Sequence, residues 1–145
     1  MKRRLFALAL ALLLAVSLPV SALARDWYID DGDITISATE NGQTVKQGDK
    51  DAVDDDAPVI KQKDSSNSTD NVIKVIAEKD ATANVTLDGV NINTDANRRS
   101  ETAFRTEGEG DVNIELDGSN TPRSGYYSKA AGLNKGNSVT LTIND

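Results

Sequence analysis

Five aspartates fall within eight residues: Asp49, Asp51, Asp54, Asp55 and Asp56. Calcium takes about six to eight oxygens, mostly carboxylate and carbonyl, so a run this dense has the right ligand chemistry. The spacing follows no D-x-D-x-D-G loop, and acidic runs commonly serve as solvated loops. Calcium is the one cofactor expectation, with these five residues as its leading ligands. Aromatic side chains offer a second chemistry, because a flat apolar ring stacks on the C–H face of a sugar. The candidates are Trp27 and Tyr28 near one end and Tyr126 and Tyr127 near the other. Trp27 has a competing use as a large side chain covering the core. Tyr126 and Tyr127 are adjacent, so in an extended segment one points in and one out. The outward one is the expected ligand contact. The chain has no His and no Cys, which removes the common nucleophile–base pairs. A glycosidase-type carboxylate pair has no distinguishing spacing here, and the balance of residue types is against catalysis. Asn67-Ser68-Thr69 and Asn84-Val85-Thr86 match the glycosylation acceptor pattern.

The elements that must hold these residues are strands. Short β-branched runs recur: Ile34-Thr35-Ile36, Val72-Ile73-Lys74-Val75-Ile76, Val85-Thr86-Leu87, Val112-Asn113-Ile114-Glu115-Leu116 and Val139-Thr140-Leu141-Thr142-Ile143. Each nearly alternates apolar with polar, the period-2 signature of a strand. Gly, Asn and Asp between them supply turns. Residues 85–91, Val-Thr-Leu-Asp-Gly-Val-Asn, match residues 114–120, Ile-Glu-Leu-Asp-Gly-Ser-Asn, at an offset of 29. Val75, Phe104 and Leu133 share that offset, and Ile143 follows Leu116 by 27. A fixed period of this size marks a stacked repeat. No leucine-rich or Gly-Gly calcium nonapeptide pattern is present. A parallel β-helix of few coils is therefore the expected fold, with Leu87 stacked on Leu116 and Ile143. An antiparallel sandwich is the alternative, although it does not need matching residues at a constant offset. In the repeated Asp88-Gly89-x-Asn91 and Asp117-Gly118-x-Asn120, glycine permits positive φ at a corner. The Asn side chains there either bond the backbone or, with Asp88 and Asp117, line a face that hydrogen-bonds sugar hydroxyls or holds calcium, and repetition at each coil suits a scaffold.

The N-terminus has its own logic. Lys2, Arg3 and Arg4 precede an apolar run over residues 5–18, and Ala22-Leu23-Ala24 supplies a small-x-small cleavage pattern. This order reads as a secretory leader of bacterial type over residues 1–24. Its apolar run is short of the ~20 residues that span a bilayer. Removing it takes the net charge from −7 to −10, because its three basic residues go with it. That acidity disfavours nucleic acid as a partner. The expectation is an extracellular or cell-surface protein whose cap occupies residues 25–48. An acidic excursion of the first coil over 49–70 follows, then coils over 71–145. The chain stops directly after a strand, from which a truncated C-terminus of a longer protein is expected.

A resemblance rests on Asn84-Val85-Thr86-Leu87-Asp88-Gly89-Val90-Asn91-Ile92, Ala103-Phe104, Gly110-Asp111-Val112-Asn113-Ile114-Glu115-Leu116-Asp117-Gly118-Ser119-Asn120-Thr121, Ser124-Gly125, Ala131-Gly132-Leu133 and Leu141-Thr142-Ile143. With Trp27 and Asp33-Ile34-Thr35-Ile36, this order resembles the N-terminal part of secreted bacterial carbohydrate-binding-domain proteins. The resemblance covers roughly residues 27–145 and is spread over many positions. It implies a right-handed parallel β-helix of the polysaccharide-lyase type and a polysaccharide partner. Lyases on that scaffold use Arg or Lys as base beside carboxylate-bound calcium, a role open to Arg98, Arg99, Arg105 and Arg123. Arg105 follows the inward Phe104 and so belongs on an outer face, which makes it a ligand-binding candidate with Tyr126, Tyr127 and Trp27. The leading expectation is a non-catalytic polysaccharide-binding module. A lyase-like fragment acting on acidic polysaccharide and an adhesin-like structural stalk are the alternatives.

Overall fold

The computed structural model describes residues 24–136 and 140–145. Residues 1–23 of the expected leader, and Val139 of the last expected strand, lie outside the described residues. The protein is an all-β parallel solenoid of about four turns. Its first turn carries β1 (Asp26–Tyr28) and β2 (Ile34–Thr39), followed by a returning strand β3 (Gly42–Gln47) and the short β4 (Val53–Asp54). β5 (Val59–Lys61) and β6 (Ile73–Ala77) make the second turn. The third turn holds β7 (Thr82–Asp88), β8 (Asn91–Asn93) and β9 (Phe104–Gly108). The fourth holds β10 (Asp111–Asp117), β11 (Thr121–Arg123) and β12 (Leu133–Lys135), and β13 (Leu141–Asn144) follows. One face, sheet A, has the order β1-β5-β7-β10-β13, and sheet B has the order β12-β9-β6-β2-β3-β4. A narrow third side pairs β8 with β11. Among the described residues no helix is long and apolar enough to cross a membrane.

The period-2 pattern decides which side chains enter the core. In sheet A, Trp27, Ile60, Leu87 and Leu116 occupy one register row. In sheet B, Ile34, Ile73, Phe104 and Leu133 form another. Ile34, Ile60, Ile73 and Phe104 are fully buried. Each such side chain contributes about 1.5–3 kcal/mol of hydrophobic stabilisation. The stack of Leu87 on Leu116 holds, and the pairing is parallel, which removes the sandwich alternative. Two expected stacks shift. Ile143 pairs with Ile114, keeping the 29-residue period through β13, whereas the 27-residue match had set it on Leu116. Phe104 pairs with Ile73, two residues before Val75, which pairs with Thr106. Turn length is the cause: 13 positions separate Ile60 from Ile73 but 17 separate Leu87 from Phe104.

The repeated corners are built as scaffold. Gly89 and Gly118 have φ of +67° and +64°, a region glycine enters without a Cβ penalty. Asn120 Nδ2 donates to Leu87 O at 3.1 Å, and its Oδ1 accepts from Val90 N at 3.0 Å. Asn91 donates from Nδ2 to Ser65 O at 2.9 Å. Both side chains thus bind the backbone of the preceding coil.

The two antiparallel strands, β3 and β4, close one end. Gln43 sits at an inward position of β3 and is 4% exposed. Its Nε2 donates to Asn84 O at 3.0 Å, while Asn84 N donates to Gln43 Oε1 at 2.8 Å. One side-chain amide so supplies β7 with the donor and acceptor that a neighbouring strand would otherwise offer. Without it the edge groups of β7 would stay unpaired.

Candidate functional site

The residues singled out by sequence part into two groups. The first is consumed by the closing end. Trp27 is 8% exposed and lies in the interior row of β1, so it is a core side chain rather than a sugar platform. Its Nε1 donates to Asp55 Oδ2 at 2.7 Å. Asp55, 1% exposed, also accepts from Ala57 N at 3.2 Å on its other oxygen. Asp56 Oδ1 accepts from Gln43 N at 3.0 Å. Asp49, Asp51 and Asp54 are exposed along the surface of the same hairpin. Two of the five aspartates therefore hold backbone and indole N–H groups. Among the described residues no group of three or more carboxylates is placed to share a metal ion.

The second group faces solvent. Tyr126 and Tyr127 are 77% and 61% exposed. They lie in a 3-10 turn, Tyr126–Ser128, and not in an extended segment, so both rings point outward where one was expected to turn in. Backbone bonds fix the turn: Tyr126 N donates to Asp95 Oδ1 at 3.0 Å and Tyr127 N to Arg99 O at 2.9 Å. The rings meet edge to face, with centroids 5.3 Å apart at 82°, a favoured aromatic geometry. Among the described residues nothing in their own coil buries them.

Arg105 lies on the outer side of β9, as expected from its place after Phe104. Register puts it in a row that crosses sheet B: Lys46 beside Thr35, Thr35 beside Lys74, Lys74 beside Arg105, Arg105 beside Asn134. Adjacent strands stand about 4.8 Å apart, so the row is a ladder of donors at that interval. The next outward row holds Asp54, Thr44, Ser37, Ile76 and Glu107. Glu107 reaches back: its Oε2 is 2.9 Å from Lys74 Nζ and its Oε1 is 3.2 Å from Arg105 Nε. Arg105 is thereby engaged in an ion pair with Glu107 two residues along the same strand.

In comparison with known proteins, no family model, no curated protein and no solved structure matches the chain. The site must be read from its own chemistry.

The other arginines are structural. Arg98 binds Asp33 in a two-pronged pair, Nη1 to Oδ1 at 2.6 Å and Nη2 to Oδ2 at 3.0 Å. Asp33 Oδ1 also accepts from Val72 N at 2.9 Å. The Asp33 carboxylate raises the Arg98 pKa against an opposing effect of burial. Arg123 pairs with Asp95 at 3.4 Å, and Arg99 Nε caps Asp95 O at 3.0 Å. The outer face of sheet A differs from that of sheet B. It carries Asp26, Asp88, Glu115 and Asp117 around Lys61. Lys61 is held by Asp26 at 2.9 Å, and that hydrogen bond raises its pKa. Beside them Asn113 Nδ2 donates to Asn84 Oδ1 at 3.1 Å, one rung of an amide ladder. Sequence reasoning singled out Arg105 but missed its row partners Lys46 and Lys74, because the three residues lie on three strands at unequal separations along the chain.

Proposed function

We propose that this protein is an exported, non-catalytic module that binds polysaccharide, with Tyr126 and Tyr127 as the stacking platform. The observation that carries this reading is the exposure of two adjacent aromatic rings, on a turn whose backbone is hydrogen-bonded, in a protein with aromatics at only 4% of residues. Large apolar rings held out in water lose the stabilisation that burial would give, which points to a ligand. A sugar suits them, since its C–H face is apolar and its rim of hydroxyls needs donors and acceptors. Export follows the leader pattern of residues 1–24 and places the protein where such polymers are met.

The test is retention of the protein on a panel of immobilised neutral and charged polysaccharides, with product release measured in parallel. The reading predicts retention without cleavage and its loss in Tyr126→Ala/Tyr127→Ala. Release of unsaturated ends would instead establish a lyase. Retention on no glycan would leave a structural stalk.

A further inference from the structure

We propose that the outer row of sheet B is an anion subsite that makes the ligand an acidic, carboxylate-bearing polysaccharide, and that Glu107 occupies this subsite in the free protein. The inference rests on the polysaccharide reading above and adds its substrate class. Lys74 and Arg105 come from neighbouring strands and converge on a single carboxylate, one on each oxygen. That is the arrangement a ligand carboxylate would find. Lys46 stands in the same row, with Thr35 between it and Lys74. Its side chain is exposed and makes no hydrogen bond or ion pair with any described residue. Two strand spacings put Lys46 about 10 Å from Lys74 across the sheet. A polymer crossing the strands can therefore place one carboxylate on the Lys74–Arg105 pair and another on Lys46. The Thr35 hydroxyl and the Asn134 amide are available in the same row for sugar hydroxyls.

Charge complementarity selects this face. The protein is acidic overall, and the outer face of sheet A sets Asp26, Asp88, Glu115 and Asp117 against one lysine already bound to Asp26. A polyanion is repelled there. The row from Lys46 to Asn134 contains three cations and no carboxylate of its own. The adjacent row adds Asp54 at its β4 end and Glu107, which reaches into the cationic row, so the two rows together carry three cations and two carboxylates. A ligand carboxylate has to displace Glu107, so Glu107 lowers affinity and makes binding depend on a polymer that engages several cations at once.

The experiment measures binding of the purified protein to polygalacturonate, to its fully methyl-esterified form and to polyglutamate, at low and high salt. The expected result is tight, salt-sensitive binding to polygalacturonate, since exposed charges are screened over about 10 Å at 0.1 M salt. Lys74→Ala/Arg105→Ala should weaken it by about tenfold or more, and Glu107→Gln should strengthen it by about threefold, as expected when a competing charge is removed. Folding of each variant is checked by circular dichroism. Neutral polysaccharides should bind equally to these variants and to the parent. Equal binding of the esterified polymer, or no effect of the three substitutions, would overturn the subsite and leave the polysaccharide reading standing. Equal binding of polyglutamate would overturn the assignment to sugar polymers. Retention on no glycan would overturn both.

Discussion

The closing hairpin and the outer face of sheet B are both polar, both charged, and both offered candidate ligands in the sequence. They differ in what their groups are already doing. At the hairpin, Trp27, Gln43, Asp55 and Asp56 satisfy one another and the edge of β7. On sheet B, Lys46 has no described partner and Lys74 and Arg105 share the carboxylate of Glu107. Two members of a dense acidic run, Asp55 and Asp56, thus serve the scaffold, while three scattered cations share one outward row. The lesson is that residue type nominates a site, but unspent hydrogen-bonding capacity decides it.

Substitutions should separate the two regions by stability first. Trp27→Ala removes a buried aromatic and leaves Asp55 without its indole donor. A loss of about 3–5 kcal/mol is expected in urea unfolding. Asp55→Ala leaves Trp27 Nε1 and Ala57 N without their acceptor and should cost about 1–3 kcal/mol in the same assay. Gln43→Leu keeps the volume but unpairs the edge of β7. Hydrogen exchange at the Asn84 amide should accelerate well before global unfolding. On the other side, Lys74→Ala and Arg105→Ala break exposed ion pairs and should change stability by under about 1 kcal/mol. If the sheet B substitutions proved as destabilising as those at the hairpin, the contrast would fail.

The smallest expected effect concerns pH. Hydrogen bonds from Ser66 and Asn67 lower the Asp64 pKa below its ordinary 3.8. A carboxylate with a depressed folded pKa stabilises its loop above the unfolded value and loses that contribution as pH falls through the folded one. The Ser66 amide resonance should therefore titrate with a midpoint below 3.8. A midpoint at or above 3.8 would show that the loop does not hold Asp64 this way.

Much of the scaffold was legible because a solenoid repeats its reasons. Leu87 and Leu116 carry the same neighbours in sequence and the same row in space. Register between less similar coils was harder to see. The pairing of Phe104 with Ile73 depends on turn length, which alternation alone does not encode. Trp27 was legible as a core side chain from its size, but its bond to Asp55 joins residues 28 apart without any repeat to announce it. Tyr126 and Tyr127 were legible as a pair. Their common exposure was not, because a 3-10 turn breaks the in–out rule that extended chain obeys. Of the cationic row only Arg105 was legible, and the rest was hidden for a related reason: Lys46 arrives on a returning antiparallel strand that the repeat does not predict.

Lysine acetylation footprinting tests the central claim most directly. The purified protein is treated with a limiting acetylating reagent, with and without saturating polygalacturonate, and modification is read by mass spectrometry at each lysine. The account predicts that polygalacturonate protects Lys46 and Lys74 and leaves Lys61 and Lys63 at their unliganded rates. Protection of Lys61 and Lys63 with Lys46 and Lys74 unchanged would place the polymer on the other side of the solenoid and contradict it.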